Sequence, residues 1–205
     1  MQPHEIEQRS FEIIDSEAGD HGFSADQWPV VRRVIHTSAD FEWLTMIRIH
    51  PEAVSAGMAA IRNGCTIVTD TNMARVGIRH RDLSRFGGIV ACHMSDARVA
   101  ETARRDGTTR AKAAVDLAAP NLSGGIYVVG NAPTALLRLI ELIDQGRAAP
   151  ALVVGMPVGF VNAAESKALL LQSGVAAITN LGRKGGSTVA AAVVNALILM
   201  ACANN

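Results

Sequence analysis

The sequence predicts an α/β protein with a mostly parallel sheet and helices on both of its faces. Six short apolar runs are typical of strands, and the last five alternate with helical segments, as in parallel sheets. The chain is 49% apolar but only 4% aromatic, which fits closely packed parallel strands better than a β-sandwich. Strands are predicted at residues 43–49, 65–70, 88–93, 125–131, 151–156 and 175–180.

Four helices between these strands each end at a glycine, the residue that most readily adopts the backbone conformation terminating a helix. The second of them is predicted to begin at Ser95. In the third, one apolar stripe at helical spacing indicates a core face and no function. The helices are predicted over residues 51–64, 95–107, 132–146 and 162–174.

The two ends of the chain are also predicted to be helical. Residues 1–40 are expected to form helices packed on the α/β core, with Ser24 and Gln27 as a capping box. The C-terminal run VAAAVVNALILMA is interrupted by Asn195 and is too short for a membrane span, so we interpret it as a buried helix. The absence of repeats and linkers predicts one domain, residues 1–205.

Charge and cysteine content narrow the possible partners and the compartment. The formal net charge is zero, so no basic footprint for nucleic acid is present. The segment MQPHEIEQRS lacks the apolar core of a signal peptide, and the three cysteines show no CxxC spacing, which argues against a disulfide framework. We expect a cytoplasmic protein without membrane or nucleic-acid partners.

The strand ends indicate where a ligand binds, because open parallel sheets bind ligands beyond the carboxyl ends of their strands. These ends are rich in Gly, Pro and Asn, and basic residues outnumber carboxylates in the chain after Asp116. A glycine-rich crevice with Arg and Lys suits a large, partly apolar ligand that carries several carboxylates.

The motifs of several common enzyme classes are missing. The segment Gly182–Ser187 has the composition of a phosphate loop, but Lys184 precedes the glycine pair, so the required order is absent. No G-x-G-x-x-G follows the first strand, no G-x-S-x-G surrounds a serine, and no HExxH spacing joins the histidines. Chemistry with ATP, NAD, a serine nucleophile or zinc is therefore disfavoured.

Four stretches resemble the precorrin-8X methylmutase family over nearly the whole chain. Two small departures, Met156 where Val is expected and Asn162 where Gly is expected, leave the resemblance intact. The stretches are Arg33-Val-Ile-His36-Thr-Ser-Ala-Asp40, Asp70-Thr-Asn-Met-Ala-Arg-Val-Gly77-Ile, Gly130-Asn-Ala-Pro-Thr-Ala-Leu136, and Pro157 to Lys167 continued by Gly182-Arg-Lys-Gly-Gly-Ser187.

This resemblance implies a flavodoxin-like three-layer fold, a homodimer and a place beside other enzymes of cobalamin biosynthesis. It implies a 1,5-sigmatropic shift of one methyl group from C11 to C12, which converts precorrin-8X to hydrobyrinic acid or rearranges the cobalt-containing counterpart equivalently. No cofactor, metal or separate methyl donor is expected. The residues leave open whether the corrinoid substrate carries cobalt.

The resemblance also implies site residues. His36 is the expected general acid/base, since an imidazole exchanges a proton near neutral pH; without the resemblance, a histidine at a helix C-terminus is the simpler interpretation. Arg33, one helical turn before it, is a candidate for a substrate carboxylate or a solvated charge. Ser10 and Arg110 match ligand-binding positions of the family.

The remaining candidates have structural alternatives. Asp70 and Asn72 either cap the next helix, which we favour, or bond ring substituents. Asn131 and Thr134 have the same ambiguity. The cations Lys167, Arg183 and Lys184 either neutralise acetate and propionate groups or are solvated.

Two rival functions remain at this stage. One is a corrinoid-binding or channelling protein without turnover, which would need no titratable group at position 36. The other is a nucleotide-dependent α/β enzyme, disfavoured by the missing loops.

Overall fold

The computed structural model describes residues 2–203 and contains a six-stranded sheet surrounded by helices. The strands are β1 (Ile47–Ile49), β2 (Thr66–Thr69), β3 (Ile89–Ala91), β4 (Ile126–Val129), β5 (Leu152–Gly155) and β6 (Ala177–Asn180). The helices are α1 (Pro3–Ala18), α2 (Trp28–Ser38), α3 (Trp43–Met46), α4 (Ala53–Arg62), α5 (Asn72–Gly77), α6 (His80–Leu83), α7 (Ala97–Arg105), α8 (Arg110–Ala118), α9 (Pro133–Asp144), α10 (Ala163–Gln172) and α11 (Ser187–Ala203).

The sheet has the order β1-β6-β5-β4-β2-β3, and only the β1–β6 pair is antiparallel. Counted from β2, the five parallel strands follow the order 2-1-3-4-5 of flavodoxin-like folds. In this order the second strand lies on one side of the first strand, and the third to fifth strands lie on its other side. The predicted fold class is therefore confirmed. The switch point of this topology lies between β2 and β4.

Side chains alternate across the sheet and so feed two cores. In β4, Ile126 and Val128 pack into the core that also contains α2, α4 and α11, while Tyr127 and Val129 pack into the core under α8, α9 and α10. All four are at most 1% exposed. This double-sided burial explains why the strand sequences are apolar throughout instead of alternating with polar residues.

Three local expectations were wrong. Residues 43–46 form the helical turn α3, so β1 keeps only the second half of the predicted strand 43–49. Asp96 caps α7 in place of Ser95, because its carboxylate accepts the Arg98 N–H. The capping box before α2 is incomplete, since the Ser24 hydroxyl donates to Asp26 and Gln27 is the N-cap.

The terminal helices follow the expectation. In α1, Ile14 packs into the core beside α2, and most of the apolar side chains of α11 are buried in the same core. Among residues 2–203 no helix is both long and apolar enough to cross a membrane.

Candidate active site at the carboxyl edge of the sheet

The carboxyl ends of the parallel strands share their edge with the segment that enters β1, because β1 runs antiparallel to β6. The Leu181 N–H donates to the Met46 carbonyl at 2.9 Å. The Lys184 ammonium reaches Asp40 at 2.5 Å and Glu42 at 2.7 Å. The segment that follows the last turn of α2 is thereby joined to the loop after β6.

His36 lies in that last turn and faces a cavity of about 300 Å³. The helix ends at Ala39, which adopts a left-handed backbone with φ of 51°. Ser10 from α1 lines the same cavity, and its hydroxyl donates to the Ile6 carbonyl at 2.8 Å. Apolar side chains complete the lining: Ile13, Ile14, Ile35, Ala39 and Phe41. A half-buried imidazole thus stands at an apolar wall beside one hydroxyl.

Arg33 lies one turn before His36 but lines a neighbouring cavity of about 270 Å³, together with Arg79. Its guanidinium, 17% exposed, forms an ion pair with Glu7 of α1. This hydrogen bond lowers the pKa of the Glu7 carboxyl, and the charges of Arg33, His36 and Arg79 lower it further against the opposing effect of burial. Arg33 is therefore held by a carboxylate of the chain itself.

Asp70 is 2% exposed and its carboxylate joins two strand ends. It accepts the backbone N–H groups of Gly130, Asn131 and Ala132, each at 2.8 Å. Burial raises the pKa of Asp70, and the three hydrogen bonds act in the opposite direction. The prediction that Asp70 caps α5 is wrong. The Thr71 hydroxyl caps this helix by accepting the Ala74 N–H.

Lys167 is 1% exposed and so is not a solvated charge. Its ammonium donates to the Lys184 carbonyl at 2.6 Å and to the Asn180 side-chain oxygen at 3.3 Å. Burial lowers the pKa of Lys167 to about 8. The hydrogen bonds of the Lys167 ammonium join α10 to the end of β6 and to the loop after it.

The loop after β6 carries the two other predicted cations. Lys184 is committed to Asp40 and Glu42, whose hydrogen bonds raise its pKa. Arg183 is exposed and lies 5.4 Å from the ring centre of Phe160, which is 83% exposed. Of Arg183 and Lys184, Arg183 is therefore better placed to bind a ligand.

The loops nearest the switch point carry the other candidates. Arg110 begins α8 and is exposed, and the preceding Thr109 contacts the Thr134 hydroxyl at 3.2 Å. The Asn131 side chain is exposed. Asn72 accepts the Arg75 Nε–H at 3.0 Å and lies 3.3 Å from Ser95.

The structure thus brings Ser10 and His36 to one cavity and places Arg33 one helical turn away. Arg110, at the start of α8, lies at the same edge as Asn131 and Arg183, which are on loops, but none of the three lines that cavity. Sequence reasoning missed Glu7 and Phe11, which contact Arg33 from α1. Their spacing of four residues was the available signal, because it puts them on one helix face.

Comparisons with known proteins identify the family of this chain. A family model described as precorrin-8X methylmutase matches residues 5–200. The cobalt-precorrin-8 methylmutase of Priestia megaterium is 49% identical over 98% of this chain and 89% of its own. The precorrin-8X methylmutase of Pseudomonas aeruginosa is 40% identical over 94% and 93%.

A solved structure of the precorrin-8X methylmutase from Thermus thermophilus superposes with a TM-score of 0.92. It is 48% identical, and the match covers 98% of this chain and 97% of that one. The family model and these relatives each span nearly the whole length, including the segments that carry Ser10, Arg33 and His36. The chain belongs to the precorrin-8X methylmutase family.

Proposed function

We propose that this chain is an isomerase of cobalamin biosynthesis that moves one methyl group from C11 to C12 of precorrin-8X or its cobalt-containing counterpart. The observation that carries the proposal is the half-buried His36 facing an apolar cavity beside Ser10, in a chain of this family. The reaction is internal, because one carbon–methyl bond breaks and another forms on the same macrocycle. It needs no second substrate.

His36 is the proposed general acid/base. A proton lent by its imidazole to the conjugated macrocycle polarises the bonds around C11 and lowers the barrier to migration, and the proton returns afterwards. The apolar lining keeps water away, which strengthens the electrostatic effect of that proton on the bound ring. Such a donor typically contributes about 10²–10⁴-fold to the rate.

The polar residues around this cavity divide into two roles. Arg33, Arg110 and Arg183 are proposed to pair with carboxylates of the corrinoid, since a guanidinium binds a carboxylate through two parallel hydrogen bonds. Ser10 and Asn131 are proposed to hydrogen-bond the ring periphery.

Asp70 and Lys167 are proposed to position the loops instead, because their polar atoms already bond the backbone or side chains of those loops. Lys184 is placed with them because its ammonium pairs with two carboxylates, Asp40 and Glu42, and so joins two segments of the edge. Arg33 pairs with Glu7 through one of its guanidinium nitrogens, and its other N–H donors are proposed to meet the substrate carboxylate.

We also propose that the chain is one cytoplasmic domain that acts as a homodimer beside other cobalamin-pathway enzymes. Support for the dimer comes from exposed apolar side chains near the site. Met73 and Val76 on α5 are 65% and 67% exposed, and Val161 is 78% exposed. Light scattering on the purified protein tests the subunit count.

A non-catalytic corrinoid carrier is the rival function. It is disfavoured because the matching relatives are named as methylmutases. The deciding experiment incubates the purified protein with precorrin-8X, and separately with cobalt-precorrin-8, and follows the absorption spectrum. Conversion is expected with one or both substrates, and its complete absence would rule out the isomerase.

His36→Ala is expected to lower kcat at least 100-fold, in line with the contribution of a general acid. The matched control is His50→Ala, because His50 follows β1 at the opposite edge of the sheet and is expected to leave kcat unchanged. Full activity in His36→Ala would refute the proposed role of this imidazole.

A further inference from the structure

A stripe on α1 faces the cations of α2. Glu7, Phe11 and Asp15 are spaced by four residues and so share one helix face. Glu7 pairs with Arg33, and Asp15 pairs with Arg32 at 2.8 Å and accepts the Trp28 indole N–H at 2.9 Å. The two carboxylates thereby fix α1 on α2 at both ends of the stripe.

Phe11, between these carboxylates, contacts three side chains of α2 at once. The guanidinium carbons of Arg32 and Arg33 lie 4.4 Å and 4.8 Å from its ring centre, within the range of cation–π attraction. The His36 ring meets it edge to face, with centroids 5.3 Å apart and planes inclined by 63°. This is a favoured aromatic geometry.

We infer that Phe11 is a positioning residue for the methyl migration, which sets the imidazole of His36 and the guanidinium of Arg33 relative to each other. The reason is geometric: Arg33 and His36 line two different cavities, and Phe11 is in contact with both side chains. Its ring restricts the rotation of His36 and gives Arg33 a flat surface to rest on. The inference rests on the proposed role of His36.

The charges around the imidazole are consistent with this arrangement. Glu7 from α1 and Arg33 from α2 form one ion pair, and Arg79, before α6, lies close enough to act on Glu7. The paired charges largely cancel, so neither of them alone fixes the orientation of the His36 ring. The aromatic contact supplies that restraint.

The test compares Phe11→Leu, which removes the ring but keeps apolar bulk, with Phe11→Tyr, which keeps the ring. Phe11→Leu is expected to lower kcat by about tenfold or more, since small displacements of a catalytic group are costly, while KM changes less than about twofold. Phe11→Tyr is expected to restore most of kcat. Phe86→Leu is the matched control, because Phe86 is a half-buried phenylalanine packed on the core away from this cavity.

The outcomes separate this inference from the function it rests on. Full activity in His36→Ala would overturn the role of His36 itself. A large loss in His36→Ala together with unchanged kcat in Phe11→Leu would overturn only the role of Phe11, as would a loss confined to KM. A measurement on the unaltered protein guards against misfolded variants: a nuclear Overhauser contact between the Phe11 and His36 ring protons is expected, and its absence would refute the positioning geometry.

Discussion

Replacing Lys167 with methionine tests how much free energy of folding is lost by burying the charge of this lysine. Methionine fills a similar volume without the charge. Because burial lowers the pKa of Lys167 to about 8 from an ordinary 10.5, the folded protein releases this proton more readily than the unfolded chain. Each pH unit between these values corresponds to 1.36 kcal/mol, so the full cost of holding the ammonium charged is about 3 kcal/mol.

The sign of the pH dependence follows from this ordering. Between pH 8 and 10.5 the unfolded chain binds more protons than the folded protein, so stability rises with pH. The contribution is fully present above 10.5 and is lost as the pH falls through 8. From pH 7 to 9.5 the wild-type protein is expected to gain about 2 kcal/mol relative to Lys167→Met.

At pH 7 the variant is expected to be less stable than the wild-type protein by no more than about 3 kcal/mol. The variant escapes the burial cost, but it loses two hydrogen bonds from a charged donor, each worth about 1.5–3 kcal/mol. The Lys184 carbonyl keeps its bond from the Asn180 amide at 2.8 Å, whereas the Asn180 oxygen loses the Lys167 donor. The loss therefore equals the relief or exceeds it by up to about 3 kcal/mol.

The assay is urea unfolding of both proteins at pH 7 and 9.5, with the difference between them as the readout. Taking the difference cancels the titration of the other lysines, tyrosines and cysteines. A difference that stays constant over this range would refute the reasoning, because a solvated Lys167 would titrate alike in the folded and unfolded states.

Three further substitutions test the loops of the site. Asp70→Asn should cost about 2 kcal/mol in urea unfolding, because its amide NH₂ meets one of the N–H donors of residues 130–132 and leaves it unsatisfied; an unchanged midpoint would contradict this. Gly130→Ala should lower the melting temperature, since its Cβ would lie 2.6 Å from the Ser187 Cα, and a neutral result would mean that α11 can shift. Lys184→Met should shift the urea midpoint less than Asp70→Asn does, despite its two ion pairs, because these pairs lie at the surface, and an equal or larger shift would contradict this.

The sequence predicted the sheet well because parallel strands buried on both faces leave long apolar runs between glycine-ended helices. It could not predict the direction of β1, whose three residues carry no sign of orientation. That direction follows from the helical turn Trp43–Met46 and the pairing of Ile47 with Asn180. Residues 133 positions apart in the chain decide it.

The sequence could not predict the buried charges either, because their burial also depends on residues far apart in the chain. Lys167 lies in the run AAESKALLL, where a lysine is ordinarily solvated, and its burial depends on oxygen acceptors from a different loop. Asp70 lies sixty positions or more from its three donors. His36, by contrast, lies in one of the four stretches that resemble the family, and Ser10 was named because the resemblance implies a ligand contact there. Neither observation revealed the contacts that support these side chains.

The position of the proposed site follows from what Asp70 does. Flavodoxin-like folds bind ligands at the switch point beyond the carboxyl ends of their strands, which here lies between β2 and β4. The N–H groups that would receive an anionic group there are already bound to the Asp70 carboxylate. To reach these N–H groups, a substrate carboxylate would have to displace a buried anion that accepts three hydrogen bonds. The arginines that we propose to bind carboxylates lie around the crevice, on α2, on α8 and in the loop after β6, and the proposed proton donor, His36, lies on α2, before the antiparallel strand β1.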